Sequence, residues 1–228
     1  MSDFDVILWD IDGTLLRGGG IGRAATRFAL EEVFGTSAGL EHHHFGGKTD
    51  WYTLNELLLP QGFTLAEIEA RLPAYAEAIA GEMARTITDF EVVRLPNALE
   101  LVTALRQRGD VRQGIVTGNV YNSVSVKLKA AGFDPGWFTF GAYGHESANR
   151  NDLPPLAITR ATNLVGRNIA LERVLVVGDT VRDVEAARAA GAKVAIVETG
   201  YAERETLVAA EPDWLIPDLT HFAQVMVV

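Results

Sequence analysis

Four short apolar runs rich in β-branched residues, at residues 5–9, 112–116, 173–177 and 193–197, constrain this chain more than any other feature. Runs of this kind, apolar at successive positions, mark strands covered on both faces, the condition of a parallel sheet. Helical patterns lie between them. Residues 97–108 run to a stop at Gly109, residues 120–131 to Gly132, and residues 156–164 form another. A further helix follows Asp183 and closes at Gly191. Strands alternating with helices of this length predict an α/β fold, a doubly wound parallel sheet with helices on both faces. Two shorter strands are expected at Trp137–Phe140 and Trp214–Ile216.

The alternation is interrupted after the first strand. Past the flexible Gly18-Gly-Gly20, apolar residues recur at helical spacing over about 22–35, 50–59 and 65–85, with no convincing strand among them. The expected organisation is a core built from residues 1–16 and 89–228, carrying a helical insertion over 17–88. A length of 228 residues suits one core with a modest insertion.

Composition narrows the chemistry. The chain contains no cysteine, which excludes disulfides, thiolate metal sites and cysteine nucleophiles. A net charge of −10 argues against a sequence-independent grip on nucleic acid. The amino terminus lacks a basic stretch before an apolar one, and no apolar run approaches bilayer length, so the reading is no membrane and a cytoplasmic location. An anionic substrate approaching so acidic a protein would need a local positive charge, which a divalent cation supplies.

Ligands of open parallel sheets bind beyond the carboxyl ends of the strands. Four segments bring polar residues to those ends: Asp10 and Asp12, Thr117 to Asn119, Arg150, and Asp179 with Asp183. A carboxylate such as Asp10 is able to attack phosphorus and split one hard displacement into two easier ones. Asp12, two residues on, points broadly the same way and reaches the oxygen that Asp10 displaces.

The segments Asp10-Ile-Asp-Gly-Thr-Leu15 and Val177-Gly-Asp-Thr-Val-Arg-Asp183 resemble the motifs of the haloacid dehalogenase superfamily. Within it, the chain is similar to the phosphoglycolate phosphatase-like branch, which carries a helical cap after its first strand. The resemblance spans essentially the whole chain. It implies a Mg²⁺-dependent phosphatase acting on a small phosphorylated metabolite through an aspartyl-phosphate. Asp10 would be the nucleophile, and Asp12 would protonate the leaving group and then activate water. Mg²⁺ would lie between Asp10, Asp179 and the backbone carbonyl of Asp12, with Asp183 orienting its waters or else capping the following helix. Thr117 and the Gly118 amide would hold phosphate oxygens. Asn119 would touch substrate or cap a helix.

Two departures stand out. The family usually places lysine in a Lys-Pro context where this chain has Ala148-Asn-Arg-Asn151, so Arg150 takes the electrostatic role; it grips phosphate bidentately and is never deprotonated. Many relatives carry an acidic residue and a serine at the positions of Arg17 and Gly18. Phe45-Gly-Gly-Lys-Thr-Asp50 resembles the substrate-specificity loop, with Lys48 toward the non-transferring part of the substrate, while Arg17 and Arg23 would meet an anionic tail or the solvent. His42-His-His44 reads as a solvated loop rather than a metal site, since three adjacent residues do not share a helix face. A sugar phosphomutase of the same scaffold uses the same groups. A dehalogenase, which needs no acid at Asp12, and a shorter, capless phospho-receiver module fit less well.

Overall fold

The computed structural model describes residues 4–37 and 39–226. In chain order its main elements are β1 (Val6–Trp9), β2 (Leu16–Arg17), α1 (Ile21–Phe34), α2 (Asp50–Leu58), α3 (Leu65–Thr86), β3 (Val93–Arg94), α4 (Ala98–Arg108), β4 (Arg112–Val116), α5 (Tyr121–Ala130) and β5 (Gly141–Ala142). They continue with α6 (Leu153–Val165), β6 (Val174–Gly178), α7 (Val181–Ala189), β7 (Lys193–Val197), α8 (Arg204–Ala209) and β8 (Trp214–Ile216). Six strands form one sheet in the order β5-β4-β1-β6-β7-β8, and every pairing in it is parallel.

The strands alternate their side chains between two apolar layers, as a pleat of period two requires. Ile7, Trp9, Leu175 and Val177 pack with Ala98, Val102 and Leu105 of α4 and Val124 and Leu128 of α5. Val6, Leu8, Val174 and Val176 face the other way, against Ala157 and Ala161 of α6 and Val184 and Ala187 of α7. Both faces are thus covered, and the central strands β1 and β6 are buried along their whole length. β1 lies between β4 and β6, so the chain leaves it to one side and returns to the other, and the crevice beyond its carboxyl end is the switch point of the sheet.

The stretch between β2 and β3 is helical and has a core of its own. Ile21, Ala25, Ala29 and Leu30 of α1 pack on Leu54 and Leu58 of α2 and on Ile68, Leu72, Tyr75 and Met83 of α3. Val120 joins this cluster from the edge of the sheet. Arg17 is paired rather than helical: β2 and β3 form a small antiparallel ribbon where the helical stretch leaves and rejoins the sheet. No helix among the described residues is long and apolar enough to cross a membrane.

One expected strand is displaced. Over Trp137–Phe140 the chain begins with a 3-10 turn at Pro135–Trp137, held by Asp134 Oδ1 accepting from the Gly136 amide at 2.9 Å. Pairing with β4 starts only at the Phe140 carbonyl, which accepts from Ile115 at 3.1 Å, so the strand is Gly141–Ala142. Phe138 and Phe140, two residues apart, fall in opposite layers, whereas a strand would put both on one face, so the segment is not one extended strand.

Candidate active site

The carboxyl ends of β1, β4 and β6 converge with the loop before α6. Asp10 follows β1, Thr117 follows β4 and Asp179 follows β6; Arg150 reaches them from the segment ahead of α6, and Asp183 from the first turn of α7. Ligand oxygens of Asp10, Asp179 and Asp183 all lie within 4.8 Å of one another, and all three residues are buried. Arg150 Nη2 lies 3.2 Å from Asp10 Oδ1 and 2.5 Å from Asp183 Oδ1.

This cluster is short of positive charge. Burial pushes the Asp10 carboxyl up to about 6; the Arg150 guanidinium pulls it down, and Asp183 and Asp12 push it further up. Asp179 is raised well above the ordinary carboxylate range by burial and by Asp10 and Asp183. Asp179 is only 4% exposed, and the one hydrogen bond to its carboxylate among the described residues is a long one, 3.4 Å from the Thr14 hydroxyl. Leaving a buried carboxylate so poorly partnered is costly. A hard divalent cation, which takes one or two carboxylates and fills its other positions with water and substrate oxygens, fits this donor set.

Asp183 is placed differently. Its Oδ2 accepts from the Thr180 amide at 3.0 Å and the Thr180 hydroxyl at 2.7 Å, while Oδ1 accepts from Arg150. Both oxygens are engaged by protein donors, so it ties the α7 start to Arg150 and stands beside Asp10. Gly13 makes the close packing possible: its φ is +88°, and a Cβ there would fall 2.3 Å from Asp179 Oδ2.

Asp12 faces elsewhere. Its Oδ2 accepts from Lys127 Nζ at 2.6 Å and Asn119 Nδ2 at 2.8 Å, and its carboxylate is outside the Asp10, Asp179 and Asp183 group. Asn119 also donates from Nδ2 to Thr117 Oγ1 at 2.8 Å and accepts from Lys127 at 2.7 Å. The N-cap of α5 is Val120, so the Asn119 side chain does not cap it and links Asp12, Thr117 and Lys127 instead. Thr117 is fully buried, and its Oγ1 accepts in both contacts with Asn119, which leaves the hydroxyl hydrogen to donate. Arg150 Nε is likewise a buried donor without a partner among the described residues.

These groups line a cleft of about 830 Å³ between the sheet edge and the helical stretch. The loop before α2 closes onto the sheet through Asp50 N to Gly118 O at 2.7 Å, Trp51 N to Gly144 O at 3.0 Å and Arg150 Nη1 to Gly47 O at 3.2 Å. Gly118 meets this loop so closely that a Cβ would lie 2.0 Å from the Lys48 carbonyl oxygen. The Lys48 ammonium pairs with Glu56 at 2.5 Å. Arg17 donates to the Thr199 carbonyl, and Arg23 to the carbonyls of Leu40 and His43, so both guanidiniums brace loops around the cleft. The histidine run is only partly solvated: His42 and His44 are exposed, but His43 is buried edge-on against Phe45, with ring centroids 4.9 Å apart. Its partner is the neighbouring aromatic ring on which Arg23 also sits.

Three residues of the site escape a reading of the sequence. Lys127 is 3% exposed, yet appears as one of two lysines in an ordinary amphipathic helix. Its signal is periodicity: Ser123, Val124, Lys127 and Leu128 form the buried stripe of α5, which puts a cation on an apolar face. Asp50 is buried, with Oδ2 accepting from the Val120 amide at 2.8 Å, and Thr199 donates to the Gly13 carbonyl at 2.6 Å. Nothing local in the sequence sets these two apart.

Comparison with known proteins places the chain in a family. The family model of haloacid dehalogenase-like hydrolases matches residues 4–191. Over 43 residues, 19% of the chain and 20% of that protein, the sequence is 54% identical to the phosphoglycolate phosphatase of Synechococcus elongatus. It is 24% identical over 224 residues to pyrophosphatase PpaX of Bacillus pumilus, covering 96% of this chain and 94% of that one. Among solved structures, a hydrolase from Pseudomonas syringae superposes with a TM-score of 0.69 at 22% identity over 99% of this chain and 100% of that chain, a likeness of fold. With the family model spanning both acidic motifs and the strands β1 and β6 that lead into them, the chain belongs to the haloacid dehalogenase-like hydrolases.

Proposed function

We propose that the protein is a Mg²⁺-dependent phosphatase that hydrolyses a small phosphomonoester through an aspartyl-phosphate on Asp10. The observation that carries this reading is the crowding of Asp10, Asp179 and Asp183 around a single guanidinium, with Asp179 almost unpartnered. Asp10 and Asp179, with the backbone carbonyl of Asp12, would hold the ion, and Asp183 would fix Arg150 and the surrounding loop. When bound, Mg²⁺ offsets the repulsion between Asp10 and the phosphate and stabilises charge on the transferring group.

The protein's own groups then divide the work. An Asp10 oxygen attacks phosphorus, the bond from phosphorus to the leaving oxygen breaks, and Asp12 gives that oxygen a proton. Water next attacks the acyl phosphate, Asp12 takes its proton, and Asp10 and inorganic phosphate are released. Proton transfer of this kind contributes roughly a hundredfold to ten-thousandfold. The free hydroxyl hydrogen of Thr117, the Gly118 amide and the unpartnered Arg150 Nε are the donors for phosphate oxygens, fixed in place before the reaction as electrostatic stabilisation requires. Residues 17–88 act as a cap that shields the intermediate from solvent, and the residues it adds to the cleft, among them Thr26, Lys48, Ile79 and Met83, face the leaving group.

The test is a screen of phosphorylated metabolites with Mg²⁺, assayed for inorganic phosphate and for rearranged sugar phosphate. Phosphate release that is abolished by a chelator is expected. Isomerised sugar without net release would make the enzyme a phosphomutase, and chelator-resistant release would remove the metal from the account.

A further inference from the structure

Lys127 is the most deeply buried lysine near the cleft, and the reaction as derived above gives it nothing to do. It projects from α5 into a space closed on the far side by α1, where a Cβ on Gly22 would lie 3.7 Å from its Nζ. A lysine survives such burial only if its charge is met. Here the ammonium donates to Asp12 Oδ2 at 2.6 Å and to Asn119 Oδ1 at 2.7 Å, and Asp50 is a further nearby negative group.

These contacts have a consequence for Asp12. By occupying Asn119 Oδ1, Lys127 sets which way the Asn119 amide faces, and so turns Nδ2 toward Asp12. Both donors on Asp12 Oδ2 therefore depend on Lys127, one directly and one through Asn119. The Asp12 side chain is otherwise 41% exposed, and Oδ1 has no such donor among the described residues. One oxygen is anchored and the other is left toward the cleft.

We infer that Lys127 is a positioning residue for Asp12: it anchors Oδ2, so that Oδ1 is the oxygen that exchanges the proton. In the first step the Oδ1–H bond breaks as the proton passes to the leaving oxygen; in the second, Oδ1 takes a proton from the attacking water. The inference rests on the proposed role of Asp12 as acid and base.

The experiment compares two leaving groups of similar shape on the full chain with Mg²⁺. Phenyl phosphate needs its leaving oxygen protonated, whereas 2,4-dinitrophenyl phosphate departs without help. For each variant the readout is the ratio of kcat/KM on the two substrates, which a partly inactive preparation leaves unchanged. Asp12→Asn should lose about a hundredfold more on phenyl phosphate than on the dinitrophenyl ester, and Lys127→Met about tenfold more, since proton transfer to a poor leaving group is what both impair. Lys127→Gln carries the same test should the methionine variant not fold. Equal losses on both substrates for the Lys127 variants, with Asp12→Asn still selective, would overturn the inference and leave the acid in place. Equal losses for Asp12→Asn would remove the acid role itself, and the inference with it.

Discussion

Asp10 and Asp12 leave the same strand two residues apart, yet they sit in opposite electrostatic surroundings. Around Asp10, three buried carboxylates share one guanidinium, and burial raises both Asp10 and Asp179. Around Asp12, one carboxylate meets an ammonium and an amide, and its side chain stays 41% exposed. The difference is one of missing charge. On the proposed reading, the Asp10 side would take a cation and supply the attacking oxygen, kept out of water, while the Asp12 side already has its charge met and keeps the solvent access that a proton carrier needs. The end of one strand thus gives two identical residues, two positions apart, different neighbours.

Substitutions test that division, beginning with the largest effect. Asp10→Asn removes the attacking oxygen and should lower turnover of an aryl phosphate by ~10⁴-fold or more, with an unchanged circular dichroism spectrum. Retained turnover would assign the nucleophile elsewhere. Arg150→Ala deletes the one guanidinium of the crowded side and a donor fixed in place; a fall in kcat/KM of about 10²–10³-fold is expected. A near-normal rate would make Arg150 a loop residue with no part in the site.

The smallest effect falls beside Lys127, on the Asp12 side, at Asp50. Burial, partly offset by the Val120 amide and Lys127, holds the Asp50 carboxyl up at about 6. The folded protein therefore binds this proton more tightly than the unfolded chain does, so stability from this group falls as pH rises from about 4 to about 6 and stays reduced above it. Asp50→Asn, which removes the charge, should stabilise the protein at pH 7.5 by about 3 kcal/mol, roughly 9 °C in Tm for a chain of this length, and should do little at pH 4. The check is a pair of thermal melts. Equal shifts at both pH values would show that the carboxyl's ionisation is not what costs stability.

How much of this was legible in the sequence depends on how local each feature is. The sheet announces itself because Val6–Trp9 and Val174–Gly178 are apolar at successive positions, and because Asp10 and Asp179 stand directly after them. Trp137–Phe140 misleads because Trp, Phe and Thr are all strand-favouring residue types, yet pairing begins only at the Phe140 carbonyl; Pro135, with no amide hydrogen, opens the segment as a turn. The partners of Asp12 were out of reach, since Lys127 is 115 residues away and is buried under Gly22, a contact between segments far apart in the chain. Arg17 and Arg23 carry the charge to meet an anion, but they serve the carbonyls of Thr199, Leu40 and His43, which only the folded loops bring to them.

The central claim is that the tips of β1 and β6 together lack one divalent positive charge. Titrating the protein with Mg²⁺ in a calorimeter, in parallel with Asp179→Asn, addresses it without any substrate. One ion per chain for the native protein, and loss of that binding in the variant, is the predicted result. Native protein that takes up no Mg²⁺, or a variant that binds it as well as the native chain does, would contradict it.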